Sequence, residues 1–179
     1  IYISDHGSHF RTRNGEYKRS CHDGCIRVPM VISGPGFEGG EVVEELVSLI
    51  DIPKTILDVT DTEQYSGMKG RSLQELLNGC DDWKKEIFVQ ISESQCGRAV
   101  RTKRWKYSVR SPKPDSNSDP DSDVYKEDFL YDLEKDPHEK NNLINDPDFA
   151  EVRAQLRELL KKRMKEANED IPEIIPAAK

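Results

Sequence analysis

Asp5 and His6 stand side by side at the end of the run Ile1-Tyr2-Ile3-Ser4, with Gly7 behind them. The apolar run reads as a buried strand, and in α/β proteins ligands gather at the carboxyl ends of strands. The carboxylate supplies a hard oxygen ligand, and the imidazole a nitrogen ligand or a proton carrier. Gly7 lets the backbone turn sharply without a steric penalty. The stretch that follows is crowded with basic groups: His9, Arg11, Arg13, Lys18, Arg19 and His22 all precede the next strand. Cations beside a metal carboxylate suit an anionic substrate, because fixed positive charge and a divalent ion stabilise a transferring sulfuryl or phosphoryl group. For any one of these residues alone, a solvated basic loop is the plainer reading. Lys18 and His22 are four apart, so a helical turn over them would present both on one side.

Composition narrows the setting. The chain has 179 residues, 35% hydrophobic and 34% charged, with a net charge of −7. That allows one ordinary domain or two small ones and argues against a general nucleic-acid binder. No apolar run approaches the ~20 residues of a membrane span. The sequence starts within a strand, without Met or leader, and so reads as a piece of something larger; its compartment stays open. Cys21 and Cys25 have the spacing of half a zinc site. A second close Cys or His pair is missing, so these two, with Cys80 and Cys96, read as ordinary buried or free thiols.

The elements that must position this chemistry follow from pattern. Ile26 to Ile32 reads as a second buried strand, stopped by Ser33-Gly34-Pro35-Gly36, and Val42 to Val47 as a short strand. Asp51 reads as the N-cap of a helix burying Ile52, Ile56, Leu57 and Val59. Ser72 caps a short helix, Leu73 to Asn78, closed by Gly79. From there the pattern changes. Glu86 to Ser92 and Arg98 to Val109 alternate with period two, the signature of an antiparallel sheet with one wet face. Glu93 to Gly97 reads as a connection between them. The loop 111–123 is all breakers and acid and is expected to be exposed. Phe129 to Leu133 is a further strand, and Asp146-Pro147 opens a helix with the apolar stripe Phe149, Val152, Leu156, Leu159, Leu160, Met164 and Ala167. The tail from Ile171 is expected to lie extended along a surface. The fold expected is α/β over residues 1–80, then an α+β unit over 81–179, a small antiparallel sheet with a C-terminal helix.

Several strings, in order, resemble the C-terminal part of sulfatases of the alkaline-phosphatase superfamily. They are Ser4-Asp5-His6-Gly7, Lys18 thirteen residues after Asp5, Ile26-Arg27-Val28-Pro29 and Gly34-Pro35-Gly36. Further along come Val47 to Ile52, Gly70-Arg71-Ser72-Leu73, Arg98 to Thr102 with Trp105-Lys106-Tyr107, and Leu130-Tyr131-Asp132-Leu133 followed by Asp136-Pro137-His138-Glu139 and Asn141-Asn142-Leu143. The resemblance implies that 1–80 is the tail of the catalytic domain and 81–179 its C-terminal subdomain. It implies that Asp5 is a Ca²⁺ ligand and that Lys18 binds a sulfate oxygen and offsets charge on the bridging oxygen. His6 is implied as a further metal ligand or a sulfate contact, and calcium's preference for oxygen makes a first-shell histidine unusual. Arg11, Arg13, His9 and His22 are candidate substrate contacts, because the stretch before Lys18 departs from the Gly-x-His-Gly of many relatives. His138 is given no catalytic role.

The resemblance also implies a formylglycine nucleophile, made from Cys or Ser in a C/S-x-P/A-x-R motif. None of the four cysteines stands in such a motif. Losing the nucleophile removes covalent catalysis outright, so this chain alone is expected to be inactive, its partner being the missing N-terminal part of the same protein. The intact enzyme would take a sulfated small molecule or glycan, and a periplasmic or secreted location would follow if it is a typical bacterial sulfatase. Two alternatives remain: a phosphodiesterase or phosphonate monoester hydrolase of the same superfamily, using Mn²⁺ or Zn²⁺, and a non-catalytic anion-binding module.

Overall fold

Alternating sequence after residue 86 folds into a five-stranded sheet, and the breaker-rich sequence before it into short elements joined by irregular backbone. The computed structural model describes residues 1–112 and 119–178. Residues 113–118 of the expected 111–123 loop therefore lie outside the described residues. The chain divides into two units, Ile1–Asp5 with Val28–Ile87, and His6–Arg27 with Phe88–Lys179.

In the first unit, β1 (Tyr2–Ile3) pairs antiparallel with β2 (Met30–Val31). Neither is the buried strand that the sequence suggested. Tyr2 and Val31 are largely exposed, because a two-residue ladder covered on one edge shields little side chain. The stretch Val42 to Val47 is irregular rather than a strand. Helix α2 (Asp51–Val59) buries Asp51, Ile52 and Thr55, while Ile56 stays exposed. Asp51 is its first helical residue rather than its N-cap. Its fully buried carboxylate accepts the Ser48 N–H at 2.8 Å, the Arg71 N–H at 2.9 Å and the Lys84 ammonium at 2.5 and 2.7 Å. A buried carboxylate met by three donors ties two loops to the helix start. Helix α3 (Leu73–Leu77) is capped by Ser72 as expected, in a capping box completed by Glu75, and Gly79 follows it with φ +79°. Ile52, Leu73 and Trp83 form this unit's small core.

The second unit is built on the sheet β3 (Glu86–Ser92), β4 (Cys96–Thr102), β5 (Trp105–Arg110), β6 (Val124–Asp132) and β7 (Glu173–Ile175), adjacent in that order. β4, β5 and β6 pair antiparallel, and β7 pairs parallel to β6, so the sheet is mixed rather than antiparallel. The expected extended tail supplies that last strand. The single strand expected over Arg98 to Val109 is a hairpin turning at Lys103-Arg104, where Thr102 Oγ1 accepts the Trp105 N–H at 2.8 Å. A 3₁₀ turn (Pro147–Phe149), capped by Asp146, leads into α4 (Ala150–Glu166). Leu156, Leu160 and Met164 of α4 close over Val100, Tyr107, Val109 and Leu130.

The other face of the sheet is not wet. The segment 6–27, which includes the short α1 (Asp23–Ile26), folds into this unit. A second core of Cys21, Ala99, Phe129, Tyr131 and Leu133 lies on that side. Lys106, on a face expected to meet water, is fully buried and bonded to Asp23 and Glu139.

Candidate functional site

The segment 6–27 carries most of the residues singled out by chemistry, and its course is fixed by close backbone contact and by ion pairs. Gly7 donates its N–H to the Cys25 carbonyl at 2.8 Å. A Cβ on Gly7 would lie 2.1 Å from the Gly24 carbonyl oxygen, so closeness of two backbones, not a turn, demands glycine there. Beyond it, the Thr12 N–H reaches the His9 carbonyl at 2.9 Å across Phe10 and Arg11, with φ +50° and +60°. Neither is a residue that favours the left-handed region, and each such position costs about 1–3 kcal/mol. The turn holds Phe10 and Arg11 out to solvent.

Asp23, at the start of α1, pairs with Arg101 at 3.1 Å and with Lys106. Burial alone would raise its carboxyl, yet the bonds to Arg101 and Lys106 outweigh it and hold the group below its ordinary range. Glu139 accepts the Asp23 N–H at 2.9 Å and the Lys106 ammonium. Arg13 donates to the carbonyls of Glu139 at 2.6 Å and His138 at 2.7 Å. Arg19 bonds Glu16 and Glu93, and its carbonyl accepts from Asn14 and Gln95 at 2.9 and 2.7 Å. Sequence reading missed Lys106, Asp23 and Glu139, because their partners are distant along the chain.

Asp5 is exposed and belongs to the first unit. His6 is half-buried, and its Nδ1 meets the Gly7 carbonyl at 2.8 Å. A carbonyl only accepts, so Nδ1 carries the proton and a neutral ring presents a lone pair at Nε2. In that form the ring suits a metal or a donor; only the imidazolium donates to an anion from Nε2. Tyr17 lies beside both His6 and Lys18, with ring centroids 6.1 Å apart in the first case and Lys18 Nζ 5.7 Å from the ring in the second. Residues 18–22 precede α1 and form no helical turn, so the shared helical face expected for Lys18 and His22 does not exist.

His22 is buried against Phe129, ring centroids 4.4 Å apart. Its Nδ1 bonds Ser20 Oγ, and its Nε2 lies 3.3 Å from the Tyr131 hydroxyl. Burial first, then the charges of Arg13 and Lys106, push its pKa from 6.5 down to about 3. It is a neutral ring with one donating and one accepting nitrogen. His9 is also buried, and neither ring nitrogen has a hydrogen-bond partner among the described residues. Arg11 is exposed on the strained turn.

Arg13 and His22 share a cleft of about 280 Å³ in the second unit. Asp5, His6, His9, Arg11 and Lys18 do not line it. Phe129, Tyr131, Asp128, Arg110, Gln95 and Asn142 also line it. Cys21 also lines it, its thiol pushed up to about 12 by burial and therefore inert.

Among the described residues, no three His, Cys, Asp or Glu side chains gather as a metal site. The exposed Asp5 carboxylate fits one oxygen position of a calcium site, whereas His6, offering nitrogen, fits calcium poorly. No helix among the described residues is long and apolar enough to cross a membrane.

Residues 15–166 match the family described as N-sulphoglucosamine sulphohydrolase, C-terminal. The chain is 30% identical over 170 residues to an arylsulfatase of Clostridium perfringens, covering 92% of this chain and 33% of that protein. It is 29% identical over 172 residues to arylsulfatase K of Bos taurus, covering 90% and 30%. Its fold superposes on a solved 2-O GAG sulfatase with a TM-score of 0.75 at 25% identity, over 94% of this chain and 36% of the other. The chain thus spans about a third of the length of the relatives it matches.

Proposed function

The chain belongs to the N-sulphoglucosamine sulphohydrolase C-terminal family, the C-terminal portion of sulfatases of the alkaline-phosphatase superfamily, and from that premise we propose that the whole protein hydrolyses a sulfate monoester of a sugar. The observation that carries this reading is the match over residues 15–166, which takes in Lys18, Asp23 and the strands β3 to β6. The names of the relatives, an arylsulfatase and a 2-O GAG sulfatase, support a sulfated glycan as the substrate class.

In this reading Lys18 brings an ammonium to a sulfate oxygen and to the bridging oxygen as the S–O bond breaks, where a fixed cation stabilises developing charge. Tyr17 stands beside both Lys18 and His6, its ring face toward the Lys18 ammonium. Asp5 would supply one carboxylate oxygen to a calcium ion, whose chemistry there would be Lewis-acid polarisation of sulfate oxygens. His6, whose nitrogen fits calcium poorly, would stand beside that site as a sulfate contact or a further ligand. Arg11 and Arg13 add positive charge, His22 contributes a neutral ring, and His9 a buried imidazole able to bond a ligand. No cysteine here stands in a formylglycine motif, so no nucleophilic step is assigned to this chain.

The test pairs this chain with the full-length protein, assayed against an aryl sulfate and against a phosphodiester. The full-length protein is expected to turn over the sulfate ester in preference, and this chain neither. Lys18→Ala in the full-length protein should lower kcat/KM by about 10²–10³-fold, and Asp5→Ala should lower bound calcium. Turnover by this chain, or a preference for the phosphodiester, would replace the reading with another enzyme class. Unchanged metal content in Asp5→Ala would remove the ligand assignment.

A further inference from the structure

We propose that the cleft between residues 12–22 and the sheet is a binding site for a neutral polyhydroxylated ring, with Asp128 and Arg110 as its recognition pair. The proposal needs neither metal nor nucleophile and so stands or falls separately from the sulfatase reading.

A β-bulge makes the site. Val109 pairs with Glu127 and Ser108 with Phe129, which leaves Asp128 as the extra residue of β6. Strict alternation would send neighbouring side chains to opposite faces. With the bulge, Asp128 and Phe129 both line the cleft. The Asp128 carboxylate accepts no hydrogen bond from any described residue; its ion-pair partner, Arg110 Nη2, is 3.8 Å away, too far for a hydrogen bond. Burial raises this carboxyl and Arg110 only partly opposes it. A half-buried carboxylate facing a cavity without a donor is the kind of group that a ligand satisfies.

The surroundings select the ligand. A simple anion would meet Asp128. A simple cation would meet Arg110 and Arg13. An apolar ligand would strand the Asp128 carboxylate and the Arg110 guanidinium away from water. A neutral ring with adjacent hydroxyls avoids all three costs: it donates two O–H groups to the carboxylate and accepts from Arg110. A volume of about 280 Å³ lies just below the roughly 300–1,000 Å³ range of drug-sized sites, enough for a single small ring.

The experiment is a titration of the ¹⁵N-labelled 179-residue chain with N-acetylglucosamine, glucose, inorganic sulfate and glycine, followed by amide shifts. The two sugars are expected to saturate at millimolar concentration, with the largest shifts at Gln95, Arg110, Asp128 and Asn142. Asp128→Ala should weaken binding by about tenfold or more, the loss of a charged hydrogen bond. Should Asp128→Ala not fold, Asp128→Asn keeps the shape and should still weaken it, as should Arg110→Met. No saturable shift with either sugar, shifts elsewhere, tighter binding of sulfate or glycine at these amides, or variants that bind as tightly as the parent would each overturn the proposal.

Discussion

A histidine in a basic segment invites a role as a proton carrier, but His22 is placed to stay neutral. It lies under Phe129 and Tyr131, with Arg13 and Lys106 near enough to oppose a proton. The consequence for stability has a definite sign. The unfolded imidazole takes a proton near pH 6.5 and the folded one only near 3, so the unfolded state binds more protons between those values. Stability is therefore full above the unfolded pKa and falls as the pH drops from about 6.5 toward about 3. Asp23, held low by Arg101 and Lys106, pushes the same way at the acid end. His22→Gln keeps an amide for Ser20 and Tyr131 and removes the titration. Thermal midpoints measured between pH 7 and pH 4.5 should fall more steeply for the parent than for His22→Gln; parallel slopes would show that His22 is not the cause.

At the scale of elements, the question is what holds segment 6–27 against the sheet. The fully buried Lys106 of β5 reaches Asp23 at the start of α1 and Glu139 in the turn after β6. Breaking such a buried pair from one side costs about 3–5 kcal/mol, because the abandoned charge stays buried. Lys106→Met should destabilise the chain by that much in urea unfolding. Adding Glu139→Gln, which neutralises the abandoned carboxylate yet still accepts the Asp23 N–H, should recover part of the loss. Strictly additive destabilisation would mean that the two side chains act independently. This network also marks where sequence reading stops. Ser72 and Glu75 announce their capping box, and Glu86 to Ser92 its strand, because the partners are neighbours or the period is regular. Lys106 looks like an outward-facing strand lysine, since Asp23 lies 83 residues away. The turn at Lys103-Arg104 contains no glycine, asparagine or proline, and its signal is a Thr102 hydroxyl that only the folded hairpin aims at Trp105. The Asp128 bulge breaks a period that the alternating pattern continues through.

For the whole chain, the uneven distribution of core has a measurable result. The first unit buries Ile52, Leu73 and Trp83, and leaves Tyr2, Val31, Val42 and Ile50 exposed. The second buries two clusters, one on each face of a sheet whose central strands are almost wholly inside. Resemblance made the family legible before any of this. It could not reveal the imbalance, which depends on which apolar side chains find neighbours. Since stability follows buried apolar surface, the first unit should open at lower denaturant than the second, and a single two-state transition should fail. The two tryptophans report the two halves: Trp83 sits in the first core, and Trp105 packs on Phe149 in the second. In urea, Trp105→Phe, followed by Trp83 emission, should show an earlier midpoint than far-ultraviolet circular dichroism of the same variant, which is dominated by the sheet and α4. Arg98 is nearly buried and bonded to Glu169 at 2.8 Å. Its Arg98→Met variant should lower the later transition and leave the Trp83 midpoint where it was. Coincident midpoints for both probes, moving together in Arg98→Met, would mean that the units unfold as one.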